Sequence, residues 1–270
     1  MLVTLDDVSG FLIGFIENMN SELELHLWRE IEALKQKVKF LESKDTTTLP
    51  TYQYSKIRDT DLKALFTIEQ NLNVQKFNEW FNTSIDITKS IIDFLNELLE
   101  DNKLLIERYS EEDLKVNFIV PLLNKVRFKS FEKKVRDFYE LPMHYKTDRF
   151  IFNGTADFVV AEGLIESIKP YFFIQEFKRS EEHNNPRPQL LAELISAVEL
   201  NQWTEIKGAY IIGGNWHFVI LEKLKFETYQ YFISQNFDST KLDDLTCIYK
   251  YLVCVKQEIF AMIDDNRDVT

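Results

Sequence analysis

Gly154-Thr155-Ala156-Asp157-Phe158-Val159-Val160 and, after a polar connection, Tyr171-Phe172-Phe173-Ile174-Gln175-Glu176-Phe177-Lys178 decide the fold. Each is an apolar run of strand length, and the apolar start of the second marks a central, buried strand. Alternation then puts Glu176 and Lys178 on one strand face and Gln175 and Phe177 on the other. A carboxylate and an ammonium at the C-terminal end of a buried strand are costly unless paired or used. The bland alternative is a Glu–Lys pair on an exposed edge strand, worth little.

If the two strands pair as a hairpin, Asp157 comes beside Glu176. Two such carboxylates repel, and a divalent cation relieves the repulsion. Oxygen donors favour Mg²⁺ or Mn²⁺, and the Phe177 carbonyl offers a third oxygen. A cation there would polarise a phosphate oxygen and lower the pKa of a water. Lys178 would orient or deprotonate that water, or stabilise the developing charge. Phosphodiester hydrolysis makes the fullest use of these parts.

Working outward, Ser110-Glu111-Glu112-Asp113 reads as a helix N-cap with an acidic first turn, continued by Phe118, Ile119, Pro121, Leu122, Leu123 and Val126. Strands are expected at Arg149–Phe152, Ala156–Val160 and Tyr171–Lys178. A helix is expected from Gln189 to about Trp203, then strands at Gly208–Ile212 and Trp216–Leu221 joined by a Gly213-Gly214-Asn215 turn. Phe226–Ile233 reads as another strand and Ser239 to Asp264 as a terminal helix. This order gives an α/β domain, a mixed sheet flanked by helices, over 110–270.

The N-terminal part differs. Ile16, Met19, Leu23, Leu27, Ile31, Leu34, Val38 and Leu41 form a heptad-like stripe, and Asp45–Pro50 breaks it. A second helical region is expected from Asp59 to Leu105, with Asn71–Asn73 or Asn82–Ser84 as candidate breaks. Residues 1–109 therefore read as a helical hairpin or coiled-coil arm that makes the protein a homo-oligomer, or that packs on the C-terminal domain.

Here the residues meet a known pattern. Gly154–Asp157, then Gln175-Glu176-Phe177-Lys178, then a helix carrying Gln189, resembles the core of PD-(D/E)XK, restriction-endonuclease-like nucleases. Ser110 to Leu123 is similar to the first core helix of type I restriction-subunit N-terminal nuclease domains. The resemblance implies Asp157 and Glu176 as metal ligands, Lys178 as catalytic, an acidic metal position at Asp113 and a catalytic Gln189. The chain departs from it in two places. Thr155-Ala156 precedes the Asp where the family has Pro, and Glu193 stands where some members carry Tyr after Gln189.

Net charge is -12, the wrong sign for a protein that coats nucleic acid. One basic stretch, Lys125, Arg127, Lys129, Lys133, Lys134 and Arg136, is the best track for a nucleic-acid backbone, with Arg179 and Arg187 flanking the site. The four histidines show no metal-ligand spacing. The 2 cysteines are too few for a disulfide framework, which implies a reducing, cytoplasmic setting. No signal peptide or membrane span is visible. The expectation is a Mg²⁺-dependent nuclease acting on DNA. The alternative is a catalytically weak or inactive nuclease-fold scaffold that binds nucleic acid as an oligomer.

Overall fold

The computed structural model describes residues 21–42, 49–178 and 185–268. The first described helix, α1 (Ser21–Glu42), is followed by β1 (Thr51–Gln53), α2 (Asp59–Leu65), β2 (Thr67–Gln70), α3 (Asn78–Phe81) and α4 (Lys89–Asn102). Next come α5 (Glu111–Leu114), a π-helical turn (Lys115–Ile119) and α6 (Val120–Val126). Pro121 accounts for the wide turn: it has no amide to give the carbonyl of Asn117, and its ring pushes that carbonyl away. The strands β3 (Val135–Lys146), β4 (Ile151–Glu162) and β5 (Ile168–Lys178) then form an antiparallel meander. The helix α7 (Pro186–Asn201) leads to β6 (Glu205–Ile212), parallel to β5. The antiparallel strands β7 (Asn215–Lys225) and β8 (Thr228–Ile233), the short β9 (Phe237–Asp238) and α8 (Leu242–Asp268) complete the chain.

The described strands form one mixed sheet in the order β1-β4-β5-β6-β7-β8-β2, with β3 on β4 and β9 on β7. Helices cover both faces, each over its own apolar core. On one side α8 lays a stripe of Leu245, Ile248, Leu252, Val255, Ile259 and Ile263 against the sheet, beside α4 and α6. On the other, α7 is apolar nearly all round. It packs on the sheet through Leu190, Leu194 and Val198, and is itself covered by Tyr54 and α2.

The meander β6–β7–β8, its Gly213-Gly214 turn and the terminal helix stand close to where the sequence puts them. The two strands expected at Arg149–Phe152 and Ala156–Val160 are one strand, β4. The boundary at residue 109 needs correction. Both β1 and β2 enter the sheet, and Phe77, Trp80, Leu95, Leu98 and Leu99 join the core over α8. The span Asp59–Leu105 is broken because Ile68 is buried as a strand residue in β2 and Asn73 caps a new turn. The apolar stripe read there as a helical hairpin packs within the domain. Among the described residues, α1 is what remains of the arm. It lies on α2, where Arg29 Nε donates to the Lys63 carbonyl at 3.1 Å, and it reaches β1, where Gln36 Nε2 donates to the Tyr52 hydroxyl at 3.1 Å. Ile16 and Met19 of its stripe fall outside the described residues.

Candidate active site

The site lies where β5 leaves β4. The two strands pair from Glu162 and Ile168 up to Phe158 and Gln175, and no further. Further along the same edge of β4, β1 pairs with Ile151–Asn153. Between them, residues 154–157 have no strand neighbour on that edge among the described residues. Gly154 lets Tyr54 close in, since a Cβ there would sit 3.0 Å from the Tyr54 ring on a backbone with φ of 152°. Asp157 fills the split: its Oδ2 accepts the Phe177 amide at 2.8 Å, replacing the ladder bond the departing strand no longer makes.

Further groups converge there. Glu176 is 1% exposed; its Oε1 accepts from Lys178 Nζ at 2.9 Å. That ammonium also donates to the Phe177 carbonyl at 2.9 Å and lies 3.5 Å from Glu111. From α7, Gln189 Nε2 donates to Glu193 Oε1 at 3.0 Å, and Glu193 is wholly buried. From the π-helical turn, Lys115 Nζ reaches Asp157 Oδ1 at 3.1 Å and Glu140 Oε1 at 2.6 Å. Glu140 interrupts β3 in a left-handed conformation, φ 49°, opposite Asp157.

Burial pushes the Glu176 carboxyl well above its ordinary value of 4.5, the Asp157 charge adds to the rise, and Lys178 pulls against it. Burial likewise pushes Glu193 up, with Glu176 the next cause, while the Gln189 hydrogen bond opposes the shift. For Lys115 and Lys178 burial disfavours the ammonium, but their carboxylates outweigh it: Glu140 and Asp157 hold Lys115 above its usual range, and Glu176 does the same for Lys178. The site is a cluster of carboxylates whose mutual repulsion is met by two lysines.

Asp157, Glu176 and Lys178 therefore lie together, and Gln189 joins them through Glu193. Asp113 does not. It is exposed and spent in a capping box, where its Oδ2 accepts from Ser110 Oγ at 2.7 Å, so Glu111 is the acidic residue of that turn that faces Lys178. The basic stretch is also misplaced relative to the expectation. Val135 pairs with Glu162, which pairs with Ile168, so this end of the sheet lies roughly 25 Å along β5 from Glu176. Lys125 sits over the Phe94 ring, Lys133 pairs with Asp264, and Arg136 stacks 3.9 Å over Phe138. Arg127, Lys129 and Lys134 are exposed; Lys134 adjoins Val135 at that far end, whereas Arg127 and Lys129 flank Phe128, which packs on Phe158 and Phe173. Arg187, in the first turn of α7, is bound to Asp59 at 2.6 Å. Arg179 lies outside the described residues.

The donor chemistry suits a hard divalent cation. Asp157, Glu176 and the Phe177 carbonyl supply oxygens, the set favoured by Mg²⁺ and Mn²⁺. Glu176 Oε2 and Glu193 Oε2 are buried without a hydrogen-bond partner among the described residues. The Asp157, Glu176 and Phe177 oxygens are already held by ammonium groups. No cluster of three or more His, Cys, Asp and Glu side chains arranged for a metal occurs among the described residues, so the set rests on two carboxylates and a main-chain carbonyl. No described helix is long and apolar enough to cross a membrane. The sequence matches no protein-family model and no curated protein, so what the site does is read from its own residues.

Proposed function

We propose that the chain is a metal-dependent nuclease of the restriction-endonuclease-like type, hydrolysing phosphodiester bonds in DNA. One observation carries this: Asp157, Glu176, the Phe177 carbonyl and Lys178 converge where β5 leaves β4. Asp157, Glu176 and the Phe177 carbonyl would hold Mg²⁺ or Mn²⁺. Bound there, the ion supplies Lewis acidity toward a phosphoryl oxygen and a source of hydroxide near neutral pH. Lys178, released from the Phe177 carbonyl, would keep Glu176 as its partner and direct its remaining protons at the attacking water or the phosphate. Gln189 would orient Glu193, whose buried carboxyl lies close enough to Glu176 for the two to repel.

The experiment is cleavage of supercoiled and single-stranded DNA in Mg²⁺ or Mn²⁺ by the wild type and by Asp157→Asn, Glu176→Gln and Lys178→Met. Each variant is expected to lose about a hundredfold or more. Undiminished cleavage by all three would reject the assignment.

A second reading has its own support. Much of the basic stretch is spent on the fold, with Lys125 over Phe94, Lys133 paired with Asp264 and Arg136 over Phe138, and the net charge is -12, which favours a nuclease-like scaffold with little catalysis. That reading expects no cleavage by the wild type under any divalent ion and nucleic-acid binding that depends on Arg127, Lys129 and Lys134.

A further inference from the structure

Of the two ammonium groups described at the split, Lys115 has no part in the reaction described above. Its ammonium is buried, 8% exposed as a residue, and lies 5.7 Å from the centre of the Phe177 ring. It holds Asp157 Oδ1, an atom that a divalent ion would take. Resting on the metal-site reading, we propose that Lys115 is a displaceable internal cation: it neutralises Asp157 in the metal-free protein, yields Oδ1 to the divalent ion, and then binds a non-bridging oxygen of the phosphodiester.

Charge decides that one cation must move. A divalent ion added beside both ammonium groups would place four positive charges on Asp157, Glu176 and their neighbours. Lys178 is tied at two points, to the Glu176 carboxylate and the Phe177 carbonyl, and faces Glu111 as well. Lys115 has a second partner already in place toward solvent, because the Glu140 side chain is 59% exposed and accepts from Nζ at 2.6 Å. Backing away from Asp157 therefore leaves the ammonium paired rather than stranded. The long side chain springs from the π-helical turn and reaches into the split at Asp157. The left-handed conformation of Glu140 is uncommon for a non-glycine residue; it marks the interruption of β3 from which that carboxylate meets Lys115.

The test is titration calorimetry with MnCl₂ on the full chain, for wild type, Lys115→Met and Glu176→Gln, with plasmid cleavage measured in parallel. Removing the competing ammonium should make Lys115→Met bind Mn²⁺ about tenfold more tightly. The same variant should cleave at least about tenfold more slowly, for want of the phosphate contact. A purely structural lysine would not give this split of tighter metal with slower cleavage. Should Lys115→Met fail to melt cooperatively, Lys115→Gln, which drops the charge but keeps a hydrogen-bond donor, takes its place with the same expectation. Mn²⁺ affinity equal to or weaker than wild type in the neutral variant, with binding abolished in Glu176→Gln, would overturn the role of Lys115 and leave the metal site standing. Wild type that binds no Mn²⁺, or binds it no better than Glu176→Gln, would overturn both.

Discussion

Two stretches of the same strand pair behave in opposite ways. Where β4 and β5 are paired, Phe158, Val159, Val160, Phe173 and Ile174 are fully buried among apolar neighbours. A few residues further on, at the split, the buried side chains include Asp157, Glu176 and, from α7, Glu193. Burial stabilises the first stretch and penalises the second. A chain that needed only a stable sheet would continue the apolar run to the end of β5. The split therefore stores a cost, and a bound cation would return part of it.

The contrast breaks hardest through chemistry. Glu176→Gln should lower metal-dependent cleavage by about a thousandfold while its melting temperature stays level or rises, because the amide removes a buried charge. A simple activity assay paired with a thermal melt checks both halves.

Next comes Phe173→Ala in the paired stretch. It should cost about 3–5 kcal/mol, seen as a melting temperature lower by roughly 6–20 °C, through a cavity in the core over α8. Cleavage per folded molecule should survive, since this ring packs beside Phe128 within that core.

Glu193→Gln sharpens the comparison from the other side. It should raise stability by about 1 kcal/mol at neutral pH, at some cost in activity. The pH dependence follows from sign. Folding raises the Glu176 and Glu193 carboxyls above their ordinary 4.5, so their contribution is complete below that value and is lost as pH climbs through the raised ones. Chemical denaturation of the metal-free protein between pH 4 and pH 8 should show this loss, and Glu193→Gln should show less of it. A steeper loss in the variant would contradict the picture.

The smallest effect belongs to the far end of the sheet. Lys134→Ala should change plasmid cleavage by about twofold or less, because Lys134 adjoins Val135 at the end of the sheet roughly 25 Å along β5 from Glu176. A loss comparable to that of Glu176→Gln would restore the basic stretch as the nucleic-acid track.

How far the sequence foretold this follows from the range of each contact. Glu176, Lys178 and Asp157 could be placed because alternation within a strand is local and one hairpin joins the two strands. Lys115 could not, because its bond to Asp157 spans 42 positions and depends on a π-helical turn. Glu193 was visible only as a departure from a pattern; its burial beneath Glu176 needs the parallel crossover through α7. Asp113 could have been set aside from sequence alone, since Ser110 three positions earlier already writes a capping box that consumes it. The strand β3 was hidden by its mixed polarity and by Pro142, tolerable because β3 pairs on one side only among the described strands. The strands β1 and β2 are too short for any period to show.

The most direct measurement is the anomalous difference map of a crystal soaked in Mn²⁺. The account predicts a single strong peak in the split, about 2.0–2.3 Å from an Asp157 oxygen, a Glu176 oxygen and the Phe177 carbonyl, with Lys115 withdrawn from Asp157. A peak elsewhere, or none at the split while Lys178 still clasps Glu176 and the Phe177 carbonyl, would contradict it.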